Sequence, residues 1–246
     1  MSLQREMVSS GSWLFRYRSF LPLLIVPAFL FRMMSATYIQ GSHERTELWQ
    51  LVCLGVCFLG LAVRLKTAAH VPVGTSGRNT VSQVAETLNT TGIYSVVRHP
   101  LYLGNYLIVL GIAMFFRDIM FVAFVSCVFA LYYERIMLVE ESFLRAQFDR
   151  TFEEWAASTP AFIPRLTEWQ TSSLPCSWRS MVRREYTTLF VVIALPATED
   201  FLADSIIEQR LFFDWRWMTA LVISAVIFFL CRFLKKQTTT LVAAGR

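Results

Sequence analysis

Residues 119–139 form an apolar run broken only by Glu134 and Arg135, and the chain carries five more runs of similar character. These are 20–34, apolar apart from Arg32 and lengthened by 13–15; 48–63, with no charge; 101–116; 187–195, continuing to about 202; and 217–234, with Arg232 near its end. A helix needs about 20 mostly apolar residues to cross a bilayer, and a soluble core of this size would not require so many such stretches. The composition agrees: 55% of the 246 residues are hydrophobic and 17% charged, against about 25% charged in ordinary soluble domains. The expected fold is an all-α integral membrane protein of about six transmembrane helices.

Arginine and lysine near the run ends set the expected orientation. Arg5, Arg16 and Arg18 precede the first run; Arg64, Lys66, Arg78 and Arg98 lie between the second and third; Arg179, Arg183 and Arg184 precede the fifth; Arg232, Lys235 and Lys236 close the sixth. The last opposite loop is acidic, with Glu199, Asp200, Asp204, Glu208 and Asp214. Both termini are expected in the cytoplasm. No small-residue cleavage site follows the first run, which is expected to stay as an anchor. The net charge of +5 belongs to the membrane surface and not to a nucleic-acid partner, because no basic stripe with interleaved aromatics appears outside the runs. Of the five cysteines, Cys53, Cys57, Cys127 and Cys231 lie in apolar runs and Cys176 outside them. None has the neighbours of a zinc site, so they read as small apolar residues.

Three regions follow: 1–70 with the first two helices, 71–166 as a functional core, and 167–246 with a connector and two more helices. Two polar stretches fall on the cytoplasmic side, 66–100 and 140–184. In the first, 74–80 (GTSGRNT) is either an ordinary loop or a backbone nest for a phosphate, and 81–89 is expected as a short amphipathic helix ending in a turn at Gly92. In the second, the helix begun at 119 should continue past Glu140 and Glu141. Phe148, Phe152 and Trp155 then recur at helical spacing, as in an amphipathic helix lying on the membrane surface. The prolines of 159–164 stop it, and 166–184 reads as a connector. Only Arg117 and Asp118 separate the third and fourth runs, so these should form a tight antiparallel hairpin. Its far ends would then bring Arg98, His99 and Pro100 beside Arg135, Glu140 and Glu141.

The motifs TGIYSVVRHPLYLGN (91–105), E-R-x4-E-E (134–141), F-x3-F-E-E-W (148–155) and P-x-F-I-P (160–164), in this order, resemble the isoprenylcysteine carboxyl methyltransferase family, which is similar to phospholipid N-methyltransferases. The resemblance covers about Leu88 to Pro164. It implies S-adenosylmethionine as cofactor in a cytoplasmic site at the ends of the helical hairpin, and a lipid or lipid-linked acceptor arriving from the bilayer. By the same resemblance Tyr94, His99, Pro100, Leu101, Tyr102, Glu140 and backbone near Leu88 hold the cofactor. Arg135 and Glu141 would meet the acceptor, and Arg135 and Arg98 would serve the reaction, with no metal.

These residue types suit the chemistry. A glutamate matches the cofactor's amine or ribose hydroxyls, Arg98 and His99 match its carboxylate, and Tyr94 and Tyr102 offer flat faces to adenine or the sulfonium. An anionic acceptor needs no general base, so O-methylation of a carboxylate or phosphate is preferred. The alternatives are N-methylation of an aminophospholipid, a reductase on a shared helical core, and a non-enzymatic membrane scaffold or transporter. The chain departs from the family in continuing about 80 residues past the last motif.

Overall fold

The computed structural model describes residues 3–18, 20–71 and 85–242. All its regular elements there are helical: α1 (Leu3–Tyr17), α2 (Val26–Met33), α3 (His43–Ala69), α4 (Pro100–Met114), α5 (Ile119–Ser158), α6 (Trp178–Ile207) and α7 (Trp215–Gln237), with short 3-10 turns at Leu21–Ile25, Ile93–Ser95 and Leu166–Glu168. Three of them, α3, α5 and α7, are long and apolar enough to cross a membrane; α4 is apolar but shorter.

The first expected run is not one helix. α1 ends at Tyr17, and the chain resumes as a 3-10 turn that leads into α2. Pro22 and Pro27 each occupy a first or second helical position, where the missing N–H costs nothing; in a helix interior it would break the ladder.

α3 packs most extensively on α4, and α6 also lies against α3. Close approach of α3 and α4 depends on glycine. A β-carbon on Gly60 would stand 2.6 Å from the Gly104 carbonyl oxygen, and one on Gly111 would collide with the Cys57 sulfur. Cys53 and Cys57 are fully buried, and Cys57 packs with Ile108, Ile112 and Val192, as small apolar residues do.

The hairpin forms as expected. α4 ends at Met114 and α5 begins at Ile119, and Asp118 caps α5, its carboxylate accepting from the Met120 and Phe121 amides at 2.9 and 3.2 Å. Its second oxygen accepts from Arg32 at 2.9 Å, which ties α2 to the same corner. Such a cap contributes about 1 kcal/mol.

Beyond the apolar part, α5 kinks at Asp149, where φ is 43°. The final turns fold back on the protein, so Phe152 is wholly buried and Trp155 donates to the Tyr94 carbonyl at 3.0 Å. This segment therefore turns Phe152 onto the protein. Two other expectations change. Within 81–89, residues 81–84 lie outside the described residues and 85–89 are not helical; the 74–80 loop lies wholly outside them. The connector is shorter than expected, because α6 starts at Trp178, where the Ser177 hydroxyl accepts from the Ser180 amide.

α6 also absorbs acids that the sequence suggested were a loop. Glu199, Asp200 and Asp204 are helical and buried. They meet partners on α3 in antiparallel register: Gln50 donates to Asp200 at 2.6 Å, His43 lies 3.3 Å from Asp204, and further along Arg64 forks onto Glu185 at 2.7 and 3.0 Å. α7 completes the bundle through Phe228, which stacks obliquely on Tyr186 and Phe190.

Candidate functional site

Residues 92–99 are strapped to the chain that follows α5. The Arg98 and His99 amides donate to the carbonyls of Pro160 and Ala161 at 2.9 and 3.1 Å, and the Arg165 amide donates to Val96 at 2.9 Å. At the start of the strap Gly92 has φ 62°, and a β-carbon there would meet Ser172 at 3.1 Å. Its amide donates to the Gln170 carbonyl, and the Gln170 amide donates to the Ser95 hydroxyl at 2.9 Å. The two proline-bearing motifs thus fix each other's backbone. Pro100 then starts α4 with His99 as its cap residue.

This backbone aims His99 at α5. Its Nε2 lies 3.0 Å from one Glu141 oxygen and its Nδ1 3.6 Å from one Glu140 oxygen. Arg98 donates to the same Glu141 oxygen at 2.9 Å, and Tyr102 donates to Glu140 at 2.5 Å. The His99 and Tyr102 rings stack, with centroids 5.7 Å apart. The expected meeting of the imidazole–proline corner with the two glutamates is therefore present. An imidazole facing a carboxylate through each nitrogen is fully satisfied only when both nitrogens carry protons. Burial opposes that charge, but the hydrogen bonds and charges of Glu140 and Glu141 outweigh it and raise the His99 pKa above its ordinary 6.5.

The sign of the resulting pH dependence follows from that rise. The stabilisation from His99 is complete below about pH 6.5 and fades as pH rises through the higher folded value. The melting temperature of the wild type minus that of His99→Gln, measured in detergent, should shrink steadily as pH is raised from 6. A difference that grows with pH would contradict the bridged imidazolium.

The remaining expected residues divide. Tyr94 lies near Glu140: burial first, and the Glu140 charge second, push its phenol above the ordinary range. Pro100 is fully buried beneath the cluster and Leu101 half-buried beside it in sequence, while Leu88 is half-buried in the irregular stretch before Gly92. Arg98 is held in place, since one guanidinium nitrogen also donates to the carbonyls of Ala156 and Thr159 at 2.7 and 2.8 Å. Arg135 is not brought to the cluster. At 100° per residue it points about 140° away from Glu140 and about 120° away from Glu141 around α5, on the side that packs against α1.

Four further residues extend the cluster across the bundle. Arg64 donates to Asn105 at 2.5 Å, Asn105 donates to the Tyr133 hydroxyl at 3.3 Å, and the Tyr133 ring lies 4.7 Å from that of Tyr102. Glu185 anchors the far end through Arg64. In the sequence Arg64 counted only as a border charge, and Asn105 closes the 91–105 motif without drawing separate notice. Glu185 is separated from Arg64 by more than 100 residues of chain, and only the α3–α6 pairing joins them.

Residues 49–151 match the phospholipid methyltransferase family, and they contain all of the cluster's side chains from His99 to Glu141. This match spans fewer than half of the chain's residues. Among curated relatives, the cobalt-zinc-cadmium resistance protein CzcN of Cupriavidus metallidurans is 37% identical over 125 residues, 50% of this chain and 53% of that protein. The nickel-cobalt-cadmium resistance protein NccN of Alcaligenes xylosoxydans xylosoxydans is 31% identical over 136 residues, 55% and 61% of the two chains. The protein-S-isoprenylcysteine O-methyltransferase of Schizosaccharomyces pombe is 30% identical over 121 residues, 48% and 50%. The chain thus spans between half and three-fifths of the length of these relatives. No solved structure matches. Among the described residues, no three His, Cys, Asp or Glu side chains are grouped to hold a metal ion.

Proposed function

We propose that this chain transfers a methyl group from S-adenosylmethionine to a lipid or lipid-linked acceptor at the cytoplasmic face of a membrane. The observation that carries the reading is the His99–Tyr102–Glu140–Glu141 cluster, formed where the ends of α4 and α5 meet inside the family segment. About six membrane crossings, with both termini and the cluster on the cytoplasmic side, complete the proposal; the distribution of arginine and lysine supports it.

The donor set fits a cationic ligand. Glu140 and Glu141 supply two carboxylates, and Glu140 is the more exposed, with 27% of its side chain accessible against 15% for Glu141. Tyr102 fixes the Glu140 carboxylate from one side and His99 approaches it from the other, so its free electron pairs keep one orientation. Tyr102 meets Glu140 through its hydroxyl, and the aromatic rings of Tyr94 and Tyr102 would attract a sulfonium or ammonium group by their quadrupoles. S-adenosylmethionine, when bound, supplies an electrophilic methyl group on a sulfur that leaves as a neutral thioether. Arg98 and Glu141 are then positioning residues. Each is committed to neighbours, and together they hold His99 against Glu140. An acceptor that is already anionic gives up no proton, and the cluster need only orient the reactants and exclude water. O-methylation of a carboxylate or phosphate is therefore the preferred reaction.

The test is incubation of purified protein in lipid nanodiscs with methyl-labelled S-adenosylmethionine and total membrane lipid. Label should appear in a lipid fraction, resistant to extraction into water, and should be absent with His99→Ala. Lipid that stays unlabelled while the wild-type protein also fails to bind the cofactor would remove the reading. Labelling of ethanolamine lipids alone would move the acceptor from oxygen to nitrogen.

A further inference from the structure

α1 lies outside the family segment, yet it packs closely along α5. Gly11 permits the contact, because a β-carbon there would collide with the Arg135 carbonyl oxygen. Beside this crossing the two helices leave an open groove of about 490 Å³, lined by Ser10, Trp13, Leu14, Leu131, Tyr132 and Arg135. Its walls are mainly apolar, and Trp13 and Leu131 are more than half exposed.

Two polar groups in the groove lack the partner their chemistry requires. The Tyr132 hydroxyl is buried with no hydrogen-bond partner; among the described residues it is the one buried side-chain atom in that state. A buried hydroxyl left unpaired costs about 1–3 kcal/mol. Arg135 donates to the Leu131 carbonyl one turn back on its own helix, at 2.9 Å, and no carboxylate of the described residues forms an ion pair with it. The two residues are three apart on α5, so they share a face. The Ser10 hydroxyl donates to the Met7 carbonyl of its own helix at 3.0 Å. Arg135 also sits about 7.5 Å nearer than Glu140 to the apolar half of α5, at 1.5 Å per residue. The groove is therefore a cationic, donor-rich head at the border of an apolar trough, and no carboxylate of the described residues pairs with Arg135 there.

We propose that this groove binds an anionic phospholipid, its phosphate held by Arg135 and the Tyr132 hydroxyl and its upper chain laid along Trp13, Leu14 and Leu131. The phosphate supplies the acceptor oxygens that both donors lack, and an arginine–phosphate contact is charge-assisted. The site faces α1 and is separate from the His99–Glu140 cluster on the α4 side. It stands whether or not the chain transfers methyl groups, and its occupant joins α1 to the hairpin.

The test is native mass spectrometry of the protein released from detergent after equilibration with phosphatidylglycerol, phosphatidylcholine or glycerol 3-phosphate. Wild-type protein should retain phosphatidylglycerol well above phosphatidylcholine, and glycerol 3-phosphate should bind weakly because it has no chain for the trough. Loss of a charge-assisted contact weakens binding about tenfold or more, so Arg135→Gln should lower phosphatidylglycerol retention by about that factor. Arg135→Lys should keep most of it. Tyr132→Phe removes one oxygen and leaves the ring packing intact; it should lower retention by about threefold to tenfold, as expected for one hydrogen bond. Melting temperatures of the three variants, measured alongside, identify any that fails to fold. Equal retention of the two phospholipids by the wild type would overturn the proposal, as would retention unchanged in both Arg135→Gln and Tyr132→Phe.

Discussion

Glutamine in place of Glu140 should weaken S-adenosylmethionine binding by about tenfold to a hundredfold while leaving the protein folded. The substitution keeps the volume of the side chain and an oxygen for the Tyr102 hydroxyl, which now donates to Glu140 at 2.5 Å. What it removes is the negative charge, and a hydrogen bond to a charged partner contributes about 1.5–3 kcal/mol, which corresponds to that range of affinity. Calorimetric titration of purified protein in detergent measures the effect, and melting in the same buffer checks the fold. His99→Ala should weaken binding in the same direction, since it frees both glutamates from their shared partner. An affinity unchanged in both variants would remove the cofactor from this cluster, even if the chain transfers methyl groups elsewhere.

Alanine in place of Glu185 should destabilise the protein by about 3–5 kcal/mol, the cost of leaving one charge of a buried pair without its partner. The pair is well enclosed: the Arg64 and Glu185 side chains are 17% and 4% exposed. Arg64 makes a two-pronged contact with Glu185, and the Thr188 hydroxyl donates to the same carboxylate at 2.7 Å. Thermal unfolding in detergent gives the magnitude. The double substitution Arg64→Met with Glu185→Met should recover most of the loss, because replacing both charges by apolar groups of similar volume is close to neutral. A single Glu185→Ala variant as stable as the wild type would mean that the Arg64–Glu185 pair adds nothing net to the packing of α6 on α3.

The hairpin and its polar corner were legible in the sequence because each depends on local signals. Asp118 caps α5 from the residue just before it, Pro100 starts α4, and the prolines of 159–164 end α5; all act within a few positions of where they stand. The spacing from His99 to Glu140 and Glu141 then follows from the hairpin's geometry. Other features depend on partners distant in the chain and were misread. Glu199, Asp200 and Asp204 are three acids within six residues, which locally resembles a solvated loop, and partners on α3 such as Gln50 and His43 help make a buried helix possible there. Phe148, Phe152 and Trp155 have the pattern of a surface-seeking helix, but nothing local says whether the apolar face meets lipid or protein; the bend at Asp149 decides it. Arg135 sits in the expected motif, and its angular offset around α5 puts it on the side of α1. Counting along a sequence gives neighbourhood but not azimuth; Arg98 lies in the expected neighbourhood, where it ties α5 to the strap.

The antiparallel matching of α6 to α3 bears on how the molecule is assembled. α6 carries Glu185, Glu199, Asp200 and Asp204 along one helix, a load that a hydrocarbon environment would reject from an isolated segment at a few kcal/mol per central charge. Its complements, Arg64, Gln50 and His43, all belong to a helix synthesised well before it. α6 is thus matched to a template that precedes it in the chain, and docking there would relieve that load.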